Sequence, residues 1–129
     1  MSSEMNDDRA AITRVVEDYL EGWFGGDRDK VARAIHPDLC KRSFAATVLK
    51  TIPPADLLRT TAEGLGKKRL ADAGGQAQVE IEIHDVHHGI ACVTARSAVY
   101  REYLQLARTA DGWRIVNILW GWTDGRGPG

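Results

Sequence analysis

Cysteine is nearly absent from this sequence: Cys40 and Cys92 are the only two in 129 residues. Two thiols so far apart make neither a zinc site nor a disulfide framework, and buried free thiols are the expectation. Excess charge of either sign is missing too. Seventeen Lys and Arg nearly cancel eighteen Asp and Glu, leaving a formal net charge of −1, which offers no footprint for nucleic acid or an anionic membrane. No uncharged apolar run approaches the ~20 residues that span a bilayer. The acidic opening MSSEMNDDRAA lacks the charged-then-apolar pattern of a signal peptide. A cytoplasmic protein is therefore expected, with no nucleic-acid or membrane partner. Three catalytic fingerprints are lacking as well. There is no nucleophile elbow and no dinucleotide motif, and GLGKKR does not have P-loop spacing.

What is present suits one ordinary domain over residues 1–129, with an ordered core at about 8–122. Ala11, Ile12, Val15, Val16, Tyr19, Leu20 and Trp23 recur at helical spacing after a possible cap at Asn6 or Asp7. Gly25 and Gly26 stop that helix. Asp27 then caps a second helix to about Ile35, ended by Pro37. DLCKRSF and ATVLKTI read as short strands, and PADLLRTTAEGL as a third helix closed by Gly64 and Gly66. KKRLADAGG reads as a polar linker. Beyond it the period changes to two: QVEIEIHDV, IACVTARSAVY, REYLQLART and a last strand from Trp113, entered through a hairpin at Asp111 and Gly112. Helices first and a strand meander after predict an α+β fold with an antiparallel sheet. The tail DGRGPG is expected to fray.

Strict alternation in RIVNILWGW places Ile115 and Leu119 on one face and Val116, Ile118, Trp120 and Trp122 on the other. Both faces want to be dry. Three short helices cover only one, so the outer face is expected to pack against a second copy, a homodimer. Asn117, opposite Trp120, would either pair across the two-fold axis or bond a neighbouring loop.

VVEDYLEGWFGGDRDKVARAIHPDL, a third helix after IPP, and DGWRIVNILW together resemble the nuclear transport factor 2-like superfamily, with SnoaL-like cyclases and ketosteroid isomerase as relatives. The group called putative lumazine-binding is the nearest resemblance, through Tyr19, Gly22, Trp23, Gly26, Asp27, the run His36 to Leu39, Lys41 and Arg42. The resemblance spans residues 8–122. It implies a cystatin-like cone: a strongly curved antiparallel sheet, mixed at its edge, around three N-terminal helices. It further implies an apolar pocket for a small apolar or aromatic ligand, and a dimer on the outer face. If the chain is catalytic, the implied chemistry is cofactor-independent acid/base work such as cyclisation, isomerisation or dehydration. The alternative is a non-catalytic dimerisation or ligand-sensing module.

Three residues stand out as catalytic candidates. By resemblance Tyr19 takes the place of the isomerase tyrosine that donates to the substrate oxyanion; otherwise it is a core tyrosine. The isomerase's catalytic Asp aligns with Ser43, which cannot be that base. Lys41 shares strand parity with Ser43 and can bind an anion or act as a nucleophile, or else be an exposed strand lysine. His36 carries an imidazole, the usual general base near neutral pH, and can be a base or can cap the second helix. Trp23, Leu58, Ile118 and Trp120 are the expected pocket walls. His84, His87 and His88 tempt a metal reading, but a turn at HHG and the lack of a fourth ligand oppose it. Glu80 and Glu82 alternate against Val79, Ile81 and Ile83 and are expected outside.

Overall fold

The computed structural model describes residues 3–126; Met1, Ser2 and 127–129, the end of the tail expected to fray, lie outside the described residues. Helix α1 (Ser3–Gly25) begins before the expected cap, because its polar first turn opposes nothing and Glu4 suits the positive end of the helix dipole. Ile12, Val16, Tyr19, Leu20 and Trp23 form its buried stripe. Gly26, at φ +71°, closes it, and the Asp27 amide meets the Gly22 carbonyl at 2.8 Å. The Asp27 carboxylate then accepts the Lys30 amide and caps α2 (Arg28–Ala34).

Strands β1 (Ile35–Ala45) and β2 (Val48–Ile52) form a hairpin, followed by α3 (Pro54–Ala62). The segment expected as a linker is a fourth helix, α4 (Leu65–Asp72). Gly64, at φ +85°, ends α3 and starts α4, while Gly66 lies against Trp23, so neither glycine ends helical structure for good. Three helices are thereby corrected to four. The meander β3 (Glu80–His87), β4 (Ile90–Arg96), β5 (Tyr100–Thr109) and β6 (Gly112–Trp122) completes a six-stranded sheet of order β2-β1-β6-β5-β4-β3. All pairs are antiparallel except β1 with β6. The run expected as one strand to Tyr100 breaks at Ser97, whose hydroxyl accepts the amides of Val99 and Tyr100 and turns the chain without glycine or proline.

The last strand departs from strict alternation. Gln105 pairs with Asn117 but Leu106 pairs with Ile115, so Val116 is the extra residue of a β-bulge. Side-chain parity flips there. Trp113 and Ile115 before the bulge, and Ile118, Trp120 and Trp122 after it, all face the helices and are buried. The expectation that Ile115 and Leu119 share a face is corrected: Ile115 is 0% exposed and Leu119 is 45% exposed. A second bulge between Ile83 and Asp85, and irregular β1–β6 pairing between Ile35 and Cys40, accompany the curvature that wraps the sheet around α1. Asn117 donates to Gln105 of the adjacent strand on the outer face at 2.9 Å, a strand partner in place of the expected loop. Cys40 is half-buried and Cys92 exposed, both as free thiols. No helix among the described residues is long and apolar enough to cross a membrane.

Candidate functional site

Three elements aim polar side chains into the concave interior. On β1 the alternation buries Leu39, Lys41 and Ser43. On β5 it buries Tyr100, Glu102 and Leu104. From α1, Tyr19 comes in one turn before Trp23. The register sets Glu102 beside Trp120 and Trp120 beside Ser43, with Lys41 two residues before Ser43 on the same face of β1.

These groups form a hydrogen-bonded chain. The Lys41 ammonium donates to the Tyr19 hydroxyl oxygen at 2.6 Å, and the Tyr19 hydroxyl donates to Glu102 Oε1 at 3.0 Å. All three residues are buried. The Lys41 nitrogen also lies 5.2 Å from the Tyr19 ring centroid, 5.3 Å from Trp23 and 5.9 Å from Trp120. A second cluster adjoins: the Trp23 indole and the Arg69 guanidinium both donate to the Tyr100 hydroxyl, at 3.0 and 3.2 Å. Arg69 stacks 4.8 Å from the Trp122 ring.

Burial dominates the electrostatics. It lowers the Lys41 amine to about 8, opposed by the Glu102 charge and assisted by Arg69. It raises the Glu102 carboxyl, opposed by Lys41 and by the Tyr19 hydrogen bond. Burial, with the Glu102 charge and hydrogen bond, lifts Tyr19 well above the ordinary phenol value. Desolvation thus drives Lys41 and Glu102 toward their neutral forms while their mutual attraction holds them charged.

Lys41 and Glu102 open onto a cavity of about 290 Å³ between the α3–α4 pair and the β1, β6 and β5 strands. Its walls are Trp23, Tyr100, Trp120 and Trp122, with Ser43 beside the two ionisable groups and Arg69 and Lys50 at its rim. The Trp120 indole N–H is the one buried side-chain donor among the described residues without a partner. Of the predicted site residues, Tyr19 and Lys41 are brought together, and Trp23 and Trp120 line the cavity. Tyr19 itself stands behind Lys41 and Glu102 rather than in the wall. His36, Leu58 and Ile118 do not line this cavity. His36 Nδ1 accepts the Asp38 amide, and Ile35 rather than His36 ends α2. Leu57, not Leu58, faces the cavity, and Ile118 lies in the core beside Lys41 and Leu104. No group of metal-ligating side chains occurs among the described residues; His84 bonds Thr94, and Glu82 pairs with Arg96 on the outer face.

Glu102, Tyr100 and Arg69 were not anticipated. A signal for Glu102 existed: in REYLQLART it shares parity with Leu104 and Leu106, which puts a carboxylate on the apolar face. Arg69 has none, because its segment reads as a polar linker.

A curved mixed sheet closed on one side by N-terminal helices, with a cavity between them, defines the NTF2-like, or cystatin-like, class. The chain belongs to the family described as "Putative lumazine-binding", whose sequence profile matches residues 7–121. An NTF2-like protein of unknown function from Silicibacter pomeroyi is 18% identical, with a TM-score of 0.70 over 95% of this chain and 99% of that one. An NTF2-like protein with a cystatin-like fold from Novosphingobium aromaticivorans is 16% identical, with a TM-score of 0.66 over 95% and 86%. A protein called a "putative dehydratase" of the NTF2-like family, from Streptomyces avermitilis, is 15% identical, with a TM-score of 0.62 over 92% and 97%. At these identities the likeness concerns the fold. None of the curated proteins compared with the chain by sequence matches it.

Proposed function

We propose that the protein binds a small aromatic or conjugated molecule bearing a carbonyl or anionic oxygen and moves a proton on it, in a dehydration, isomerisation or cyclisation. The observation that carries this reading is the Lys41–Tyr19–Glu102 chain at the edge of an aromatic-walled cavity. Flat rings suit the indole and phenol walls, and pockets near 300 Å³ sit at the small end of ligand sites. Lys41 and Glu102 are the acid/base groups that face the ligand. Tyr19 is a positioning residue that fixes their separation. Two ionisable groups pushed toward their neutral forms in one dry site are the usual setting for proton transfer near neutral pH. Arg69 and Lys50 at the rim favour an anionic oxygen there. The name of the Streptomyces avermitilis neighbour agrees with a dehydration.

A thermal-shift screen over pteridines, aromatic carboxylates and conjugated ketones tests it. A ligand that raises the melting temperature of the wild type and loses that effect in Trp120→Ala supports the cavity as the site. An equal shift in that variant puts binding elsewhere and overturns the reading.

The protein is further proposed to be a homodimer through the outer face of the sheet. Of the seven large hydrophobic residues that are exposed among the described residues, Phe44, Leu49, Ile90, Tyr103 and Leu119 point outward by the strand register. A second copy is the occupant that a self-complementary sheet face takes most simply.

A further inference from the structure

We propose that Lys41 is a covalent site, whose amine captures the carbonyl carbon of a small aromatic or conjugated aldehyde or ketone in the cavity as an imine. This inference rests on the acid/base reading above and names the functional group that the site takes.

The geometry sets Lys41 apart from the other four lysines of the chain. A lysine ammonium has three hydrogens to donate. Among the described residues Lys41 has one hydrogen-bond partner, the Tyr19 hydroxyl, and is otherwise surrounded by the ring faces of Tyr19, Trp23 and Trp120. An ammonium so poorly solvated gains by becoming an amine, whose lone pair is then free for the cavity. Lys30, by contrast, is bonded to Glu21, and Lys50, Lys67 and Lys68 are exposed. With its amine lowered to about 8, on the order of a hundredfold more of Lys41 than of an ordinary lysine is free base at neutral pH.

Glu102 supplies the second requirement. As the amine attacks, the C–N bond forms and the carbonyl electron pair moves to oxygen, which takes a proton from the Glu102 carboxyl. The nitrogen returns a proton through the Tyr19 hydroxyl to Glu102. The C–O bond then breaks, and the oxygen leaves as water with a second proton from the same carboxyl. Aldehyde, amine and the carboxyl proton have become a protonated imine, water and the Glu102 carboxylate, which regains its proton when the imine nitrogen releases one, and no oxidant or reductant is consumed. A carboxyl whose proton affinity is raised by burial, joined to the amine through one hydroxyl, is suited to both transfers. The imine, once protonated, withdraws electrons from the adjacent carbon and so assists the loss of a proton there, which is the step that a dehydration or isomerisation of a carbonyl compound needs.

The test treats the full-length protein with benzaldehyde and sodium cyanoborohydride, which reduces an iminium to a stable secondary amine, and maps the adducts by peptide mass spectrometry. Lys41 is expected to label roughly tenfold faster than Lys30, Lys50, Lys67 or Lys68, since its lower basicity returns part of the free-base advantage, as it does for thiols. Labelling of Lys41 no faster than of those lysines overturns the proposal. The comparison is internal to the wild type and so holds whether or not Lys41→Arg folds; where that variant folds, it should lose the fast adduct. Sodium benzoate, which cannot form an imine, separates the two readings. A benzoate-induced melting shift that disappears in Trp120→Ala, without fast Lys41 labelling, leaves the binding site standing and sinks the imine.

Discussion

The Lys41 nitrogen and the Tyr19 hydroxyl oxygen are 2.6 Å apart in the interior, joining the second turn from the end of a helix to the middle of a parallel strand pair. Tyr19 has no surface in the cavity wall, so its hydroxyl acts on Lys41 and Glu102 rather than on a ligand. Tyr19→Phe removes that hydroxyl and leaves two buried ionisable groups short of a partner. Urea unfolding should show a loss of about 1–3 kcal/mol, while ligands of the cavity still raise the melting temperature. Unchanged stability would show that the hydroxyl does not bridge the pair.

Lys41→Met should change the pH dependence of stability. Besides Lys41, the groups that face Glu102 or the cavity are Tyr19, Tyr100, Arg69, Lys50, Asp56 and Arg59. The folded carboxyl of Glu102 titrates above its unfolded value, chiefly through burial, with the Lys41 charge pulling it back. A raised carboxyl contributes stability in full below the unfolded value of 4.5 and loses it as pH rises through the folded value. Without Lys41 the folded value rises further, so the fall in unfolding free energy from pH 5 to pH 7.5 should be steeper, up to a ceiling of about 3.4 kcal/mol for one proton over that range. Lys41 acts with the opposite slope. Its folded value of about 8 lies below the ordinary 10.5, so wild-type stability rises with pH in that window. Read below about pH 10, where tyrosines begin to ionise, this rise should vanish in the Met variant. Parallel pH profiles for the two proteins would refute both statements.

Gly66→Ala tests how α4 is seated. A methyl group at Gly66 would meet the Trp23 carbonyl oxygen and come within 2.8 Å of its indole ring, so helix or indole has to move. The same indole donates to Tyr100 and walls the cavity. Overpacking of this kind costs about 1–3 kcal/mol, and the variant should also bind cavity ligands more weakly. Gly64→Ala is no substitute, because Gly64 has a positive φ and open space around it, so its cost would be backbone strain alone. Wild-type melting and ligand response in Gly66→Ala would mean that α4 does not press on Trp23.

Much of this fold was legible because long periodic segments determine their own partners. The α1 stripe, the Asp27 cap and the alternation of β1, β3 and β5 all follow from where apolar side chains recur. What was not legible depends on contacts distant in sequence. Gly66 reads as a helix terminator until Trp23 is packed against it, and Val116 reads as an ordinary strand residue until Gln105 and Leu106 fix the register on either side of it. The site divides in the same way. Lys41 was reachable from strand parity, and Glu102 could have been reached by the same argument, whereas Arg69 depends on a helix whose formation the local polarity hides.

The bulge at Val116 alters the case for a dimer without removing it. With Ile115 inside, the outer face has lost one large side chain but keeps Leu119 at 45% and Tyr103 at 51% exposure, paired across β5 and β6. Phe44 and Leu49 pair on the same face of β1 and β2, with Arg42 beside Leu119, and the Asn117–Gln105 hydrogen bond lies next to the Tyr103–Leu119 pair. A partner that covers Leu119 cannot accept a guanidinium there without desolvating it, at a cost of several kcal/mol, whereas a monomer keeps the group in water at almost none. Leu119→Arg should therefore sediment as a monomer at concentrations where the wild type is dimeric, while its far-ultraviolet circular dichroism is unchanged. The cavity lies on the opposite side of the sheet, so ligand-induced melting shifts should survive the substitution. A wild type that already sediments as a monomer at micromolar concentration would remove the dimer and leave the cavity proposal untouched.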